Sequence, residues 1–189
     1  MHSKIFIFIS VLILAILGCK KEHNTVIGEE WSQPVEGIRG RLVLTRGDTF
    51  NGTLQIKVLL ELQNVSDIAN SMHILNGYAY TFNLTDSDGK NQSPFCGPVD
   101  ILMPNDTVGL VLPHESTLRF LVSISGIGIP KDKVAQLSVP YESGHICWVI
   151  EGGKTSPYFL SGTFNASAER SGHRVEKIVI VLPKVQVPI

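Results

Sequence analysis

The side chains of this 189-residue chain that are best suited to chemistry are its cysteines and histidines. Cys147 follows His145 by two residues, and a Cys–His pair can supply a nucleophile and its base. Residues i and i+2 of a strand lie about 7 Å apart, however, which is too far for a direct hydrogen bond. The chain also lacks a Gly-x-Ser-x-Gly nucleophile motif. We therefore assign no catalytic residue and expect a protein that is not an enzyme.

The histidines are scattered and lack the spacing of metal ligands, so no metal site is predicted. Residues 86–91 space their oxygen atoms as a calcium loop does. The twelfth position counted from Asp86 is Gly97, however, where such a loop needs a bidentate Glu. Asp88-Gly89 is instead typical of a hairpin turn. Neither glycine-rich nucleotide-binding motif occurs, so no cofactor is predicted.

The N-terminal segment has the composition of a targeting sequence. Between residues 5 and 17 only Ser10 is polar, and this run is too short to cross a bilayer. Residues 16–19, Ile-Leu-Gly-Cys, are similar to the bacterial lipobox, in which a peptidase cleaves before a lipid-bearing cysteine. We expect residues 1–18 to be a signal peptide and Cys19 to carry the lipid. An ordinary secretory signal or a short anchor helix is the alternative.

Residues 19–30 are polar and show no hydrophobic periodicity, so we expect the lipidated cysteine to be followed by a flexible tether. A coil of about eleven residues spans on the order of 20 Å. Residues 31–189 then form the folded domain. The expected location is the bacterial cell envelope, with the domain anchored to a membrane by its lipid. Lys20, which follows the lipidated cysteine, favours an outer membrane, with the domain on either the periplasmic or the external side.

Cys96 and Cys147 remain as an even pair in a chain that is expected to be exported. Disulfides persist outside the cytoplasm. Closing a loop of about fifty residues would stabilise the fold by about 4 kcal/mol on the chain-entropy model. We therefore predict a disulfide between these two cysteines, with two separate thiols as the alternative.

From Gly37 onward the dominant hydrophobic periodicity is two, as in half-buried strands. Turn signals such as Asn51-Gly52 separate the strand candidates, and residues 66–75 could form a helical turn or a short strand. Seven to nine short strands predict an all-β fold, an antiparallel immunoglobulin-like sandwich, with a small barrel as the alternative. The strand candidates are residues 39–45, 53–65, 78–85, 108–112, 118–125, 134–139, 145–150, 158–164 and 177–182.

Several strand ends resemble those of bacterial secreted immunoglobulin-like domains. Residues 60–67 (LELQNVSD) are similar to a strand ending of that family, and residues 82–90 (FNLTDSDGK) to one of its hairpins. Residues 112–116 (LPHES) are similar to the opening of its next strand, and residues 31–42 and 161–164 extend the likeness. The resemblance implies a fold, and such domains are mostly of unknown function.

Composition excludes two classes of protein. Lys and Arg number 16 against 17 Asp and Glu, and this balance predicts no nucleic-acid partner. The hydrophobic content of 43% excludes a disordered chain. We expect a non-enzymatic adhesion, scaffold or protein-interaction module. Its partners would be the membrane, through the lipid anchor, and an unknown envelope protein or glycan. Leu59 and Leu121 lie on otherwise polar strand faces and could mark a contact patch.

Two other functions remain open at the sequence level. The first is a carbohydrate- or small-ligand-binding envelope lipoprotein, for which Trp31 and Trp148 would be stacking platforms. Core packing explains Trp148 as well, and stapling of the N-terminus explains Trp31. The second is an enzyme whose site is assembled from loops, which motif spacing does not test.

Overall fold

The computed structural model describes residues 25–28, 30–50, 52–75, 79–95, 107–122, 133–141, 144–151, 157–170 and 173–189. Within these ranges the chain forms eleven strands and no helix, so the predicted all-β sandwich is confirmed. The strands are β1 (Thr25–Ile27), β2 (Ile38–Phe50), β3 (Thr53–Asn64), β4 (Asn70–Leu75), β5 (Tyr80–Thr85), β6 (Thr107–Leu112), β7 (Thr117–Leu121), β8 (Lys133–Tyr141), β9 (Gly144–Glu151), β10 (Phe159–Arg170) and β11 (His173–Gln186).

The strands form two sheets. The first sheet has the order β1-β2-β3-β8-β9, with β7 also paired to β3. The second has the order β11-β10-β4-β6, with β5 paired to β10. The pairing of β3 with β8 is parallel, over Leu54–Ile56 and Ala135–Leu137, and the other named pairings are antiparallel. The first sheet is therefore mixed, whereas a purely antiparallel sandwich was predicted.

The hydrophobic core lies between the two sheets and follows from the alternation in the sequence. In β3, Ile56, Val58, Leu60 and Leu62 are buried in the core cluster. The second sheet contributes buried residues of β10 and β11 to the same core, and Phe164 is among the largest of these side chains. Each buried aliphatic or aromatic side chain stabilises the fold by about 1.5–3 kcal/mol relative to exposure. One face of β3 is thereby fixed toward the core and the other points outward.

One strand decides between two alternatives that the sequence left open, and another lies where no strand was predicted. Strand β4 forms within residues 66–75, and β1 lies inside the segment 19–30 that was expected to be a flexible tether. β1 pairs with β2 from Thr25↔Thr45 to Ile27↔Val43, and the Gly28 N–H donates to the Leu42 carbonyl at 3.1 Å. Within the predicted tether, Thr25–Ile27 therefore form a strand, because β2 offers them a sheet edge.

Three predicted features lie outside the described residues. These are the signal peptide (residues 1–18), the lipid attachment at Cys19 and one partner of the predicted disulfide, Cys96. They stay predictions. In the part of the chain that the structure describes, no helix is long and apolar enough to span a bilayer.

Candidate binding surface

A group of charged and polar side chains lies on the outer face of the first sheet, where β2, β3 and β7 run side by side. Two rungs are polar, Arg39↔Gln63↔Thr117 and Arg41↔Glu61↔Arg119, and the next, Val43↔Leu59↔Leu121, is apolar. Because paired residues of neighbouring strands share a face and the alternate residues fill the core, these side chains point outward. We call this surface the arginine–tryptophan face and define it as Trp31, Arg39, Arg41, Leu59, Glu61, Gln63, Arg119 and Leu121.

Glu61 is the centre of this face, and its side chain is only 3% exposed. One carboxylate oxygen accepts a hydrogen bond from Arg41 Nε at 2.6 Å. The other accepts from Arg119 Nε at 2.7 Å and also from Arg119 Nη2. Burial of the carboxylate raises the pKa of Glu61, but the hydrogen bonds and charges of the two arginines outweigh it and hold the pKa below its ordinary value. Glu61 is therefore a charged, fixed acceptor.

Trp31 lies beside this network because the chain before β2 runs along its edge. The Ser32 N–H donates to the Gly40 carbonyl at 2.9 Å, and the Gly40 N–H donates to Ser32 Oγ at 2.9 Å. The guanidinium carbons of Arg39 and Arg41 lie 4.9 Å and 4.4 Å from the centre of the Trp31 ring. Such cation–π contacts are worth about 0.5–2 kcal/mol each. The indole and the two arginines thus hold one another in place.

The three guanidinium groups are held in a common way. Arg39 Nε donates to Gln63 Oε1 at 2.8 Å, and the Nε atoms of Arg41 and Arg119 donate to Glu61. The terminal Nη atoms of Arg39 and Arg41 make no hydrogen bond to any described residue. Guanidinium groups that are fixed at Nε present these remaining donors in a set direction, and such donors suit carboxylate or phosphate oxygens.

Apolar side chains adjoin the charged rungs. Leu121 is 65% exposed and lies directly opposite Leu59 in the register of β7 and β3. Lys57, which is exposed, occupies the next outward position of β3. The two leucines that the sequence marked as a contact patch are therefore neighbours, and they lie on the same face as the arginines.

Trp148 does not belong to any surface. It is 3% exposed and packs in the core, and its indole Nε1 donates to the Gln92 carbonyl at 2.9 Å. Of the two interpretations of Trp148, core packing is confirmed and the sugar-stacking platform is wrong, since the ring is enclosed between the sheets. Trp31 stays half-buried, with two guanidinium groups over its ring.

The predicted turn at Asp88-Gly89 is confirmed. The Gly89 N–H donates to the Asp86 carbonyl at 3.1 Å, and Gly89 has a φ of 78°. Asp86 Oδ1 accepts from the backbone N–H groups of Asp88 at 3.1 Å and Lys90 at 2.9 Å. The Asp86 carboxylate therefore closes the turn. Across the described ranges, no group of three or more His, Cys, Asp or Glu residues is arranged to hold a metal ion.

His145 and Cys147 lie on the same side of β9, opposite Pro140 and Ser138 of β8. Cys147 is buried, and its carbonyl accepts a hydrogen bond from the Phe95 N–H at 2.7 Å. The residue before Cys96 is thus in contact with Cys147. Both ring nitrogens of His145 are buried and make no hydrogen bond to a described residue. These contacts fit packing of β9 and show no nucleophile–base pair.

Comparison with protein-family models and with curated proteins finds no match for this chain. The sequence alone did not reveal the network of Glu61 with Arg41 and Arg119, because these residues are far apart in the chain. Alternation does place each of them on the polar side of its strand, and the missing information was the register that joins the three strands.

Proposed function

We propose that this protein is a membrane-tethered, non-enzymatic interaction module of the bacterial envelope, and that the arginine–tryptophan face is its contact surface. In this proposal it is an immunoglobulin-like lipoprotein with a cleaved signal peptide, a lipid on Cys19 and a disulfide between Cys96 and Cys147. The observation that carries the contact surface is the rung Arg41–Glu61–Arg119 beside the exposed Leu121.

This rung has the features of protein contact sites. Arg and Trp are enriched in binding hot spots, and side chains that are fixed before binding lose less conformational entropy when a partner arrives. Glu61 fixes two arginines, and Trp31 contacts Arg39 and Arg41. Arg119 is 57% exposed and Leu121 65%, so charged and apolar groups are both accessible at one place.

The lipid anchor is tested by mass spectrometry of the N-terminal peptide from protein processed by its host. We expect cleavage after Gly18 and a diacylglyceryl group on Cys19. An unmodified Cys19 that is still joined to Gly18 would refute the anchor. The same digest, made without reductant, tests whether Cys96 and Cys147 are joined.

The contact surface is tested by capture from host envelope extract with the full-length protein as bait. Leu121→Ser removes an exposed apolar side chain of the face. Val181→Ser is the matched control, because Val181 is 66% exposed and lies on β11 of the second sheet. We expect the wild-type and V181S baits to retain a component that L121S loses. Equal capture by all three baits would contradict the assignment of this face.

A carbohydrate-binding function is the second candidate, and it rests on the half-buried Trp31. A sugar that stacks on this ring must displace or share the guanidinium groups of Arg39 and Arg41. Soluble envelope glycans should then change the fluorescence of wild-type protein but not of Trp31→Phe. No difference between the two proteins would exclude this candidate.

A further inference from the structure

We infer that the arginine–tryptophan face lies against the anionic lipid surface of the membrane that holds the anchor. This inference rests on the proposed function, because it requires the lipid on Cys19, and it names the partner of the same face. The occupant is a bilayer surface that presents phosphate groups, and three properties of the face point to it: its charge, its interfacial side chains and its distance from the anchor.

The first property is a local excess of positive charge. The face and the adjacent Lys57 carry four basic groups against the single carboxylate of Glu61, whereas the whole chain has a formal net charge of −1. Glu61 is already bonded to Arg41 and Arg119. The Nη atoms of Arg39 and Arg41, which bond to no described residue, are donors that suit phosphate oxygens. Near an anionic leaflet each such charge strengthens attachment about fivefold.

The second property is the kind of side chain that surrounds the charges. Tryptophan is enriched at membrane–water interfaces, where its ring and its N–H meet different surroundings. Trp31 is half-buried beside the arginines, and Leu121 is exposed next to Arg119. The outer side of the second sheet offers no comparable charge where β5 pairs with β10. That region presents Thr81, Asn83, Ser161 and Thr163.

The third property is the short chain between the anchor and the sheet. β1 begins at Thr25, only six residues after Cys19. Six extended residues reach at most about 20 Å. β1 pairs with β2, which carries Arg39 and Arg41, so the anchored strand belongs to the same sheet as the face. The first sheet is thus held near the headgroups at a high effective concentration. A distant protein has no such advantage.

The experiment uses the processed, lipidated protein, which begins at Cys19, reconstituted into vesicles whose lipids carry brominated acyl chains, which quench tryptophan fluorescence at short range. One vesicle is pure phosphatidylcholine and the other contains phosphatidylglycerol as well. Trp148 is in the core, so the difference between wild-type protein and Trp31→Phe reports on Trp31. We expect strong quenching of Trp31 in the phosphatidylglycerol vesicles and weak quenching in pure phosphatidylcholine.

A pair of matched variants tests the role of charge. Arg39→Gln with Lys57→Gln removes two charges at the face and leaves both arginine partners of Glu61 in place. Lys177→Gln with Lys184→Gln removes two charges from exposed residues of β11. All variants stay anchored by the lipid, so the quantity compared is the ratio of domains with the face on the bilayer to domains with the face off it, as Trp31 quenching reports it. We expect the face variant to shift this ratio about tenfold or more toward the state off the bilayer, and the control variant to behave as wild type. Circular dichroism checks that both variants are folded.

Three results would overturn the inference. The first is quenching that is independent of phosphatidylglycerol, and the second is an equal loss in the face and control variants. The third is absence of quenching together with L121S-sensitive capture of an envelope protein. In that case the partner is a protein, and the proposed function stands without this inference. An unmodified Cys19 would instead refute the anchor itself, together with the inference that depends on it.

Discussion

Glu61 shows how one residue can organise a sheet face. An isolated buried carboxylate is costly, and it is tolerated when hydrogen bonds and opposite charges replace the lost water. Arg41 and Arg119 supply both, one on each side of β3. The same two hydrogen-bond sets fix the direction of both guanidinium groups. Burial of the Glu61 carboxylate is unfavourable by itself, but in this network it orients the arginines of the face.

Glu61→Gln tests this role through stability and its dependence on pH. The pKa of Glu61 is lowered in the folded protein, so the carboxylate contributes stability above its unfolded pKa of about 4.3. That contribution is lost as the pH falls through the folded pKa. We expect E61Q to lower the free energy of unfolding at neutral pH by about 1–3 kcal/mol. Urea titrations, followed by tryptophan fluorescence, measure this change.

The pH profile provides the control for this prediction. E61Q should lose less stability than wild type between neutral pH and about pH 3, because it lacks the group that titrates there. Glu115→Gln removes a carboxylate whose side chain is 81% exposed, in the turn before β7, and should follow the wild-type profile. Parallel profiles for wild type and E61Q would contradict the assigned role of Glu61.

At the scale of elements, Asn64 joins the ends of three strands. Its side-chain amide donates to the Ile68 carbonyl at 2.7 Å and to the Leu112 carbonyl at 3.0 Å, at the end of β6. Its Oδ1 accepts from the Ser66 N–H at 2.9 Å and from the Asn70 amide at 3.0 Å, at the start of β4. Asn64 is fully buried, and these contacts satisfy it. Residues 60–67, whose sequence resembles a strand ending of immunoglobulin-like domains, are thus held to β4 and β6 by the side chain of Asn64.

Gly162 of β10 lies opposite Phe82 of β5, at a point where the two strands leave no room for a side chain. A Cβ atom at this position would lie 2.3 Å from the Thr81 carbonyl oxygen and 2.8 Å from Phe82 Cδ1. The two strands would have to separate, because a backbone oxygen cannot rotate away. We expect Gly162→Ala to lower the free energy of unfolding by about 3 kcal/mol. Chemical denaturation of the purified variant gives the value.

Gly109→Ala is the matched control on the edge strand β6. The nearest atom to its added Cβ would be His73 Nδ1 at 4.0 Å, which is an ordinary contact. We expect a change within about 0.5 kcal/mol. If both alanine variants were equally stable, the close approach of β10 and β5 would be wrong.

At the scale of the whole molecule, the segment after β5 leaves the second sheet and reaches β9 at the edge of the first. Two hydrogen bonds hold it there: Trp148 Nε1 to the Gln92 carbonyl, and the Phe95 N–H to the Cys147 carbonyl. A disulfide between Cys96 and Cys147 would add a covalent tie at the same place. It would tie the segment after β5 to β9, the strand at the opposite end of the first sheet from β1.

Reduction therefore tests the organisation of the whole fold. We expect dithiothreitol to lower the free energy of unfolding by about 4 kcal/mol, since the bridge closes a long loop in the unfolded chain. Cys147→Ala should show the same loss without reductant, and Cys19→Ser should leave the sensitivity to reductant unchanged. Reaction of both Cys96 and Cys147 with a thiol reagent in unreduced, unfolded protein would contradict the bridge.

The sequence by itself determined the fold class and which side of each long strand faces the core. The alternation in β3 fixes this, because burial of every second side chain is a local property of the chain. It also predicted the turn at Asp88-Gly89 and marked Leu59 and Leu121. It missed β1, since three residues with little periodicity become a strand only when β2 offers them an edge.

Only the tertiary structure decided which polar residues meet. Glu61 and Arg119 are 58 positions apart, and nothing local indicates that they form an ion pair. Their contact follows from the register of β3 with β7, which depends on how the complete core closes. The burial of Trp148 also follows from tertiary structure, because packing of the two sheets against each other encloses its ring. Pairwise chemistry between distant strands is set by register, and register is a property of the whole sandwich.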